Sequence, residues 1–124
     1  MDRRTILVVD DDAPTREAYA SFLLDSGYRV VEAGHGGEAI LHIHRQRPHA
    51  VLMDIVMPGL DGFETALSLR ERLPGAHLPL IAVTASRSAV ENGRLHGLFD
   101  AVLLKPCAPD VIASCVRSMV DAAA

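Results

Sequence analysis

Short apolar runs alternate along the chain with longer segments of mixed polarity. Five of these runs have the length and hydrophobicity of strands that are buried in a sheet. They are Thr5–Val9, Tyr28–Ala33, Ala50–Met53, Leu78–Val83 and Ala101–Leu104. Each is followed by a segment with the character of a helix, and glycine or proline marks most of the boundaries. The pattern therefore predicts five strand–helix units in succession.

The predicted helices occupy about residues 14–26, 36–46, 62–73, 88–96 and 109–120. We expect the fourth to be weak and mobile, because Gly93 inside it costs about 1 kcal/mol relative to alanine. Alternation of this kind predicts an α/β fold, in which right-handed crossovers place helices on both faces of a parallel sheet. Five units predict a flavodoxin-like (βα)5 doubly wound five-stranded sheet with the strand order 2-1-3-4-5.

Length and composition indicate one domain over residues 1–124, with 49% hydrophobic residues, which is enough for a core. No apolar run approaches the roughly 18 residues of a membrane span, and the start lacks the features of a signal peptide. The net charge of −4 and the absence of a basic run argue against direct binding to nucleic acid. Cys107 and Cys115 match no metal or redox spacing, so we expect free, buried thiols in a cytoplasmic protein.

Polar side chains stand where four of the five strands end. Asp10 and Asp11 follow the first strand, Asp54 the third, Thr84 the fourth and Lys105 the fifth. Because the carboxyl ends of parallel strands share one edge, we expect all five to point into one crevice. Three neighbouring carboxylates repel one another and need a cation, and ligands that are all oxygen favour Mg²⁺. A hydroxyl and an ammonium beside such a metal suit a phosphoryl group.

Lys105 is the only lysine in a chain with eleven arginines. An ammonium is a compact point charge that the planar guanidinium cannot replace at a tight site. The use of a single lysine in a chain that otherwise uses arginine favours a specific role for Lys105. The alternative explanation is compositional bias.

Four segments together resemble the receiver domain of bacterial two-component response regulators. They are Ile6–Asp12, Met53–Gly62, Ile81–Ala85 and Leu103–Pro106, which occur in order and at the expected spacing. The resemblance covers nearly the whole chain. It is compatible with a single-domain receiver of the chemotaxis type and with a receiver attached to a sensor kinase.

The resemblance implies that Asp54 is phosphorylated by a histidine kinase or a histidine phosphotransfer protein. It implies that Asp11, Asp54 and the backbone carbonyl of Val56 bind Mg²⁺ directly, and that Asp10 acts through a metal-bound water. By the same resemblance, Thr84 and Lys105 bind phosphoryl oxygens, and the peptide bond after Lys105 is cis. Such a chain catalyses only its own phosphorylation and dephosphorylation. It then switches the binding of a downstream protein or relays the phosphoryl group, and a weak homodimer is compatible with this.

Three positions depart from the receiver pattern. Val102 replaces an aromatic residue that normally rotates inward when the threonine closes on the phosphoryl group. Cys107 stands where phenylalanine is frequent, and Leu98 replaces a glycine. The first two departures are familiar in receivers attached to sensor kinases, which keeps relay by phosphotransfer open. We expect the response to phosphorylation to run through Thr84 and the segment 85–97, with little rearrangement at Val102.

Several alternatives remain open at the level of sequence. Asp10 and Asp11 could cap the following helix, and Thr84 could be an ordinary strand residue. A small Mg²⁺-dependent phosphatase could use Asp10 and Asp12 as a D-x-D pair, although that fold usually needs a longer chain. A degenerate receiver could act only as a binding module, against which the complete set of five residues argues. We interpret the six histidines as solvated surface residues rather than metal ligands.

Overall fold

Five parallel strands form one sheet in the computed structural model, which describes residues 3–55, 62–72, 77–91 and 93–123. The strands are β1 (Thr5–Val9), β2 (Arg29–Ala33), β3 (Ala50–Asp54), β4 (Leu80–Thr84) and β5 (Ala101–Leu104). Their order is β2-β1-β3-β4-β5, which confirms the predicted flavodoxin-like topology. The direction of winding changes between β1 and β3, so the ligand crevice expected of an open α/β sheet lies at their carboxyl ends.

The helices are α1 (Ala13–Asp25), α2 (Gly36–Arg45), α3 (Gly62–Arg72), α4 (Arg87–Glu91), α5 (Gly93–Leu98) and α6 (Pro109–Ala123). The predicted single helix over 88–96 is wrong in one respect, because this region contains the two short helices α4 and α5. Gly93 is the first residue of α5, where a glycine disturbs a helix less than in its interior. None of the described helices combines the length and the apolar composition needed to cross a membrane.

The central strands are buried on both faces, and their side chains alternate between two hydrophobic clusters. Leu7 and Val9 of β1 belong to a cluster with residues of α2, α3 and α5. Ile6 and Val8 belong to a second cluster, with residues of α1 and α6. These four side chains are at most 1% exposed. Because helices pack on both faces of β1 and β3, the positions of the residues just after these strands are fixed by the hydrophobic core.

Candidate functional site

Three carboxylates meet at the carboxyl ends of β1 and β3. Val9 pairs with Met53 in the parallel ladder, so Asp10 and Asp54 come next at the same level of adjacent strands. Asp10, Asp11 and Asp54 each offer a carboxylate oxygen within 4.8 Å of the others. Asp10 is buried, Asp54 is partly buried and Asp11 is exposed. The predicted acidic cluster is therefore formed, and its donors are all oxygen, which suits a hard divalent cation.

Lys105 supplies a positive charge inside this cluster. Its Nζ lies 3.1 Å from Asp10 Oδ2 and 3.5 Å from Asp54 Oδ2. Partial burial acts to lower the pKa of Lys105, but the hydrogen bond to Asp10 and the charges of Asp54 and Asp10 outweigh it and raise the pKa above its ordinary value. The side chain is therefore an ammonium at neutral pH. The peptide bond between Lys105 and Pro106 is cis, as predicted.

Asp10 is 1% exposed, and its carboxylate is held at both oxygens. Oδ1 accepts a hydrogen bond from the Asp12 N–H at 2.9 Å, and Oδ2 accepts from Lys105 Nζ at 3.1 Å. A buried carboxylate is tolerated when an opposite charge and hydrogen bonds satisfy it. Asp10 therefore fixes the ammonium beside Asp54, and its exposed neighbour Asp11 is the member of the cluster most open to solvent.

Thr84 is the last residue of β4 and is fully buried. Val83 pairs with Asp54, so Thr84 lies one residue beyond the level of Asp54 on the neighbouring strand. Its carbonyl accepts a hydrogen bond from the Lys105 N–H at 2.7 Å. Its Oγ1 accepts from the Ser86 N–H at 3.1 Å, which leaves the hydroxyl hydrogen to be donated elsewhere. The structure thus places Thr84 at the same sheet edge as the carboxylates and the ammonium.

Asp12, rather than Asp10 or Asp11, caps α1. Its Oδ2 accepts hydrogen bonds from the N–H of Thr15, at 3.1 Å, and from the Thr15 hydroxyl. The hydroxyl and then the N–H of Thr15 lower the pKa of Asp12 below its usual range. The alternative that Asp10 and Asp11 merely cap the helix is therefore wrong. Among the described residues, Asp12 is not part of the group of carboxylates that lie close enough together to share a metal ion.

Arg16 belongs to this site, although no motif in the sequence indicated it. Its Nη1 donates to the carbonyl oxygen of Asp10 at 2.8 Å, and its Nε forms an ion pair with Glu32 at 3.1 Å. The Asp10 N–H donates in turn to the carbonyl of Ala33 at 3.1 Å. Arg16 therefore ties the end of β1 to β2 from α1. The one feature of the sequence that could have pointed to Arg16 is its positive charge near the start of α1. A cation there interacts unfavourably with the helix dipole, which suggests that a tertiary contact compensates for it.

Gly62 is a second residue whose role the sequence did not reveal. It opens α3, and its N–H donates to the carbonyl of Ile55 at 2.8 Å. A Cβ on Gly62 would lie 2.5 Å from the carbonyl oxygen of Asp54 and 2.6 Å from the Cα of Ile55. The helix can therefore start this close to the end of β3 only because residue 62 has no side chain. Val56, whose carbonyl is a predicted metal ligand, lies outside the described residues.

The three residues that depart from the receiver pattern, Val102, Leu98 and Cys107, are all partly buried. Val102 is partly buried and packs against the cluster formed with α2, α3 and α5. The carbonyl of Leu98 accepts hydrogen bonds from Arg70 Nε at 3.1 Å and Nη2 at 2.8 Å. Cys107 and Cys115 are free thiols, as predicted, but they are only partly buried. Burial is the main factor that raises the pKa of both thiols.

The histidines lie outside the acidic cluster. Five of the six are exposed, and His42 is half-buried. Within the described part of the chain, Asp10, Asp11 and Asp54 are the one group of three or more potential ligands close enough to share a metal ion. His35 instead caps α2, because its Nδ1 accepts a hydrogen bond from the Glu38 N–H at 3.2 Å. The interpretation of the histidines as exposed surface residues is confirmed for five of the six, and His42 is the exception.

Comparison with known proteins agrees with this geometry. The family model of the response regulator receiver domain matches residues 6–117. Response regulator MprA of Mycobacterium leprae (strain TN) is 38% identical over 117 residues, which cover 92% of this chain and 50% of that relative. The chain thus spans half the length of this relative.

Solved structures show the same fold. A CheY-like response regulator receiver domain protein from Methanospirillum hungatei JF-1 superposes with a TM-score of 0.90 at 26% identity, covering 98% of this chain and 97% of that one. Response regulator protein TrrA from Thermotoga maritima, solved in complex with Mg²⁺ and BeF, gives a TM-score of 0.85 at 28% identity. That match covers 94% of this chain and 98% of TrrA.

Proposed function

We propose a function for this chain from one premise: it belongs to the family of response regulator receiver domains. A receiver domain takes part in two-component signal transduction by accepting a phosphoryl group. We assign the acceptor to Asp54, and the phosphoryl donor to a phosphohistidine on a histidine kinase or a histidine phosphotransfer protein. The observation that supports Asp54 most strongly is its position, next to two further carboxylates and 3.5 Å from the only lysine of the chain.

The proposed reaction is a displacement at phosphorus. A carboxylate oxygen of Asp54 attacks the phosphorus of the phosphohistidine, so a P–O bond forms while the P–N bond breaks. The electron pair of the broken bond stays on the imidazole nitrogen of the donor. The Asp54 side chain is 12% exposed, which leaves it accessible to a docked donor while removing most of its water.

Lys105 and Thr84 would hold the oxygens of the transferred group. The Lys105 ammonium already lies within 3.5 Å of Asp54, so an oxygen added at Asp54 falls within its reach. The Thr84 hydroxyl hydrogen is available for a second hydrogen bond. Because charge on the phosphoryl oxygens is the main obstacle to attack by a carboxylate, fixed donors at these positions lower the barrier.

Mg²⁺ is the cation that the donor set fits best. Asp10, Asp11 and Asp54 provide oxygen donors close together, and Mg²⁺ is commonly held by one or two carboxylates, water and phosphate. When bound, Mg²⁺ would neutralise charge on the phosphoryl oxygens. Burial and the bond to Lys105 favour an indirect role for Asp10 through water, whereas Asp11 and Asp54 would bind directly. The carbonyl of Val56 remains a predicted further ligand.

The proposed output is a protein contact or a relay of the phosphoryl group. We infer no external substrate to be turned over, so the chemistry is limited to phosphorylation and dephosphorylation of the chain itself. Val102 is short and β-branched, and it cannot perform a large aromatic rotation. We therefore place the conformational response at Thr84 and the segment that follows it. Free thiols at Cys107 and Cys115 are in keeping with a cytoplasmic location.

Transfer from a phosphohistidine tests the proposal. A labelled histidine phosphotransfer protein is mixed with the chain and Mg²⁺, and the label on each protein is followed over time. We expect label to move to the chain, to stop moving in EDTA without loss of fold, and to be absent from Asp54→Asn. Asp25→Asn, the same chemical change at the exposed end of α1, is the matched control and should behave as the parent does.

Two outcomes would contradict the proposal. Sustained hydrolysis of a phosphate monoester that depends on Asp54 would support a phosphatase. A folded chain that takes no label and does not bind beryllofluoride would support a degenerate receiver that acts only as a binding module.

A further inference from the structure

A cavity at the opposite edge of the sheet is lined by basic side chains. Its volume is about 310 Å³. Four of its lining residues carry cationic or protonatable side chains, namely Arg4, Arg47, His49 and His77. The other four lining residues are apolar, so none of the eight described residues that form its wall is acidic. We call this space the basic cavity.

The basic cavity is separate from the phosphorylation site. Arg4 immediately precedes β1, His49 precedes β3, and His77 lies just before β4, so the cavity is at the amino ends of these strands. The acidic cluster is at their carboxyl ends. A five-residue strand is about 16 Å long at roughly 3.3 Å per residue, and this length separates the two sites. The charge of the cavity is also opposite to the net charge of −4 of the whole chain.

Two of the basic side chains are positioned by hydrogen bonds to the backbone. Arg4 Nη1 donates to the carbonyl of Val120 at 3.1 Å, which leaves the other guanidinium donors for a ligand. His49 Nδ1 accepts from the Thr5 N–H at 2.9 Å. The proton of the neutral imidazole must therefore be on Nε2, so His49 can offer a donor without becoming charged. Arg47, in the same wall, is exposed and adds a further set of donors.

The carboxylate of Asp100 contacts His77 in the wall of the cavity, and its charge is already compensated by Arg70. His77 Nε2 lies 2.7 Å from Asp100 Oδ1. The other oxygen of Asp100 accepts from Arg70 Nη2 at 3.1 Å and from the Leu80 N–H at 2.8 Å. Because Arg70 balances this charge, Asp100 orients His77 and does not cancel the positive charge of Arg4 and Arg47.

We propose that the basic cavity binds a small polyanion that carries two or more phosphate or carboxylate groups. Guanidinium groups match both of these anions with paired hydrogen bonds, and the two arginines allow two groups to be held at once. The volume falls at the lower end of the range of small-molecule sites, which indicates a compact ligand. The proposal does not depend on phosphorylation of Asp54, and the cavity is a second site in addition to it.

The test uses inorganic pyrophosphate as the phosphate probe and citrate as the carboxylate probe. Each is titrated into the ¹⁵N-labelled full chain without metal, at constant ionic strength, with sodium chloride as the blank. We expect saturable shifts of the backbone amides near Arg4, Thr5, His49 and His77. Tighter binding of pyrophosphate assigns the cavity to phosphate groups, and tighter binding of citrate assigns it to carboxylates.

Two variants and a matched control identify the cavity. Arg47→Gln should weaken binding roughly fivefold, since one set of charge-assisted hydrogen bonds is lost. His49→Asn should also weaken it, because asparagine keeps an acceptor for the Thr5 N–H but removes the Nε2–H donor. Arg87→Gln makes the same charge change at exposed α4 and should leave the affinity unaltered.

Three results would overturn the proposal. The first is a set of shifts that do not saturate or that sodium chloride reproduces. The second is a set of shifts confined to the amides around Lys105, which would place the anion at the other edge of the sheet. The third is an equal loss of affinity in Arg47→Gln and Arg87→Gln, which would mean that only net charge matters.

Discussion

Replacement of Gly62 by alanine probes the contact between α3 and the end of β3. The added Cβ would lie 2.5 Å from the carbonyl oxygen of Asp54 and 2.6 Å from the Cα of Ile55. Both of these are backbone atoms, so no side-chain rotation can relieve the collision. An ordinary contact begins at 3.4 Å, so the helix start and the strand end must separate by about 0.9 Å.

The free-energy cost of this separation has two contributions. Overpacking of this kind costs about 1–3 kcal/mol. The hydrogen bond from the Gly62 N–H to the Ile55 carbonyl, 2.8 Å long, would be lost or weakened at a cost of about 1 kcal/mol. We expect a loss of about 2–4 kcal/mol in the free energy of unfolding, or roughly 8–16 °C in Tm for a domain of this size. The predicted change in stability is opposite in sign to the change expected from helix propensity alone, because helix propensity favours alanine over glycine.

The assay combines thermal unfolding with phosphorylation by acetyl phosphate and Mg²⁺, at a temperature where the variant is folded. Because the displaced atoms include the backbone of Asp54, we expect phosphorylation of Gly62→Ala to be at least about tenfold slower. Gly93→Ala is the matched control, since Gly93 also opens a helix but a Cβ added there would meet nothing within 4 Å. It should leave the rate unchanged and Tm unchanged or slightly higher.

A Gly62→Ala variant with the Tm and the phosphorylation rate of the parent would refute the predicted collision between α3 and the end of β3. Equal losses in Gly62→Ala and Gly93→Ala would also refute it, because only the first substitution creates a backbone collision.

Three further predictions concern Lys105, Arg16 and the two cysteines. Lys105→Arg should lower the rate of phosphorylation by acetyl phosphate at least about tenfold, because the planar guanidinium group does not fit where the ammonium binds buried Asp10. An unchanged rate would mean that the single lysine reflects compositional bias. Arg16→Gln should lower the free energy of unfolding, measured by chemical denaturation, by about 1–3 kcal/mol, because the Asp10 carbonyl loses its hydrogen-bond donor. A variant as stable as the parent would refute this role of Arg16. Since burial raises the pKa of the Cys107 and Cys115 thiols above the ordinary value, iodoacetamide should label them more slowly than free cysteine at pH 7.5 and faster as the pH rises. Labelling at pH 7.5 as fast as that of free cysteine would contradict this prediction.

The fold and the main site residues followed from patterns that are local in sequence. Apolar runs located the strands, and the rules for parallel α/β sheets then determined which strands are neighbours. Asp10 and Asp54 are 44 positions apart, yet both could be placed at one edge because each directly follows, or ends, a central strand. The cis peptide after Lys105 came from the resemblance to a family and is present in the structure.

Residues whose roles depend on a tertiary approach could not be found in this way. The sequence placed Gly62 at the predicted start of the third helix, and only the close contact with the Asp54 backbone shows that this position requires glycine. Arg16 acts on the carbonyl of Asp10, a backbone atom that no sequence pattern represents. The acidic cluster was expected to need a metal to relieve repulsion, whereas Lys105 already neutralises part of it through the ion pair with Asp10.

Mass spectrometry of the chain after treatment with acetyl phosphate and Mg²⁺ is the decisive test of phosphorylation at Asp54. We expect one added phosphoryl group, about 80 Da, that maps to the peptide containing Asp54 and is absent from Asp54→Asn. Addition of the same mass to folded Asp54→Asn, or its location on Asp10 in the parent, would contradict the assignment of Asp54 as the phosphoacceptor.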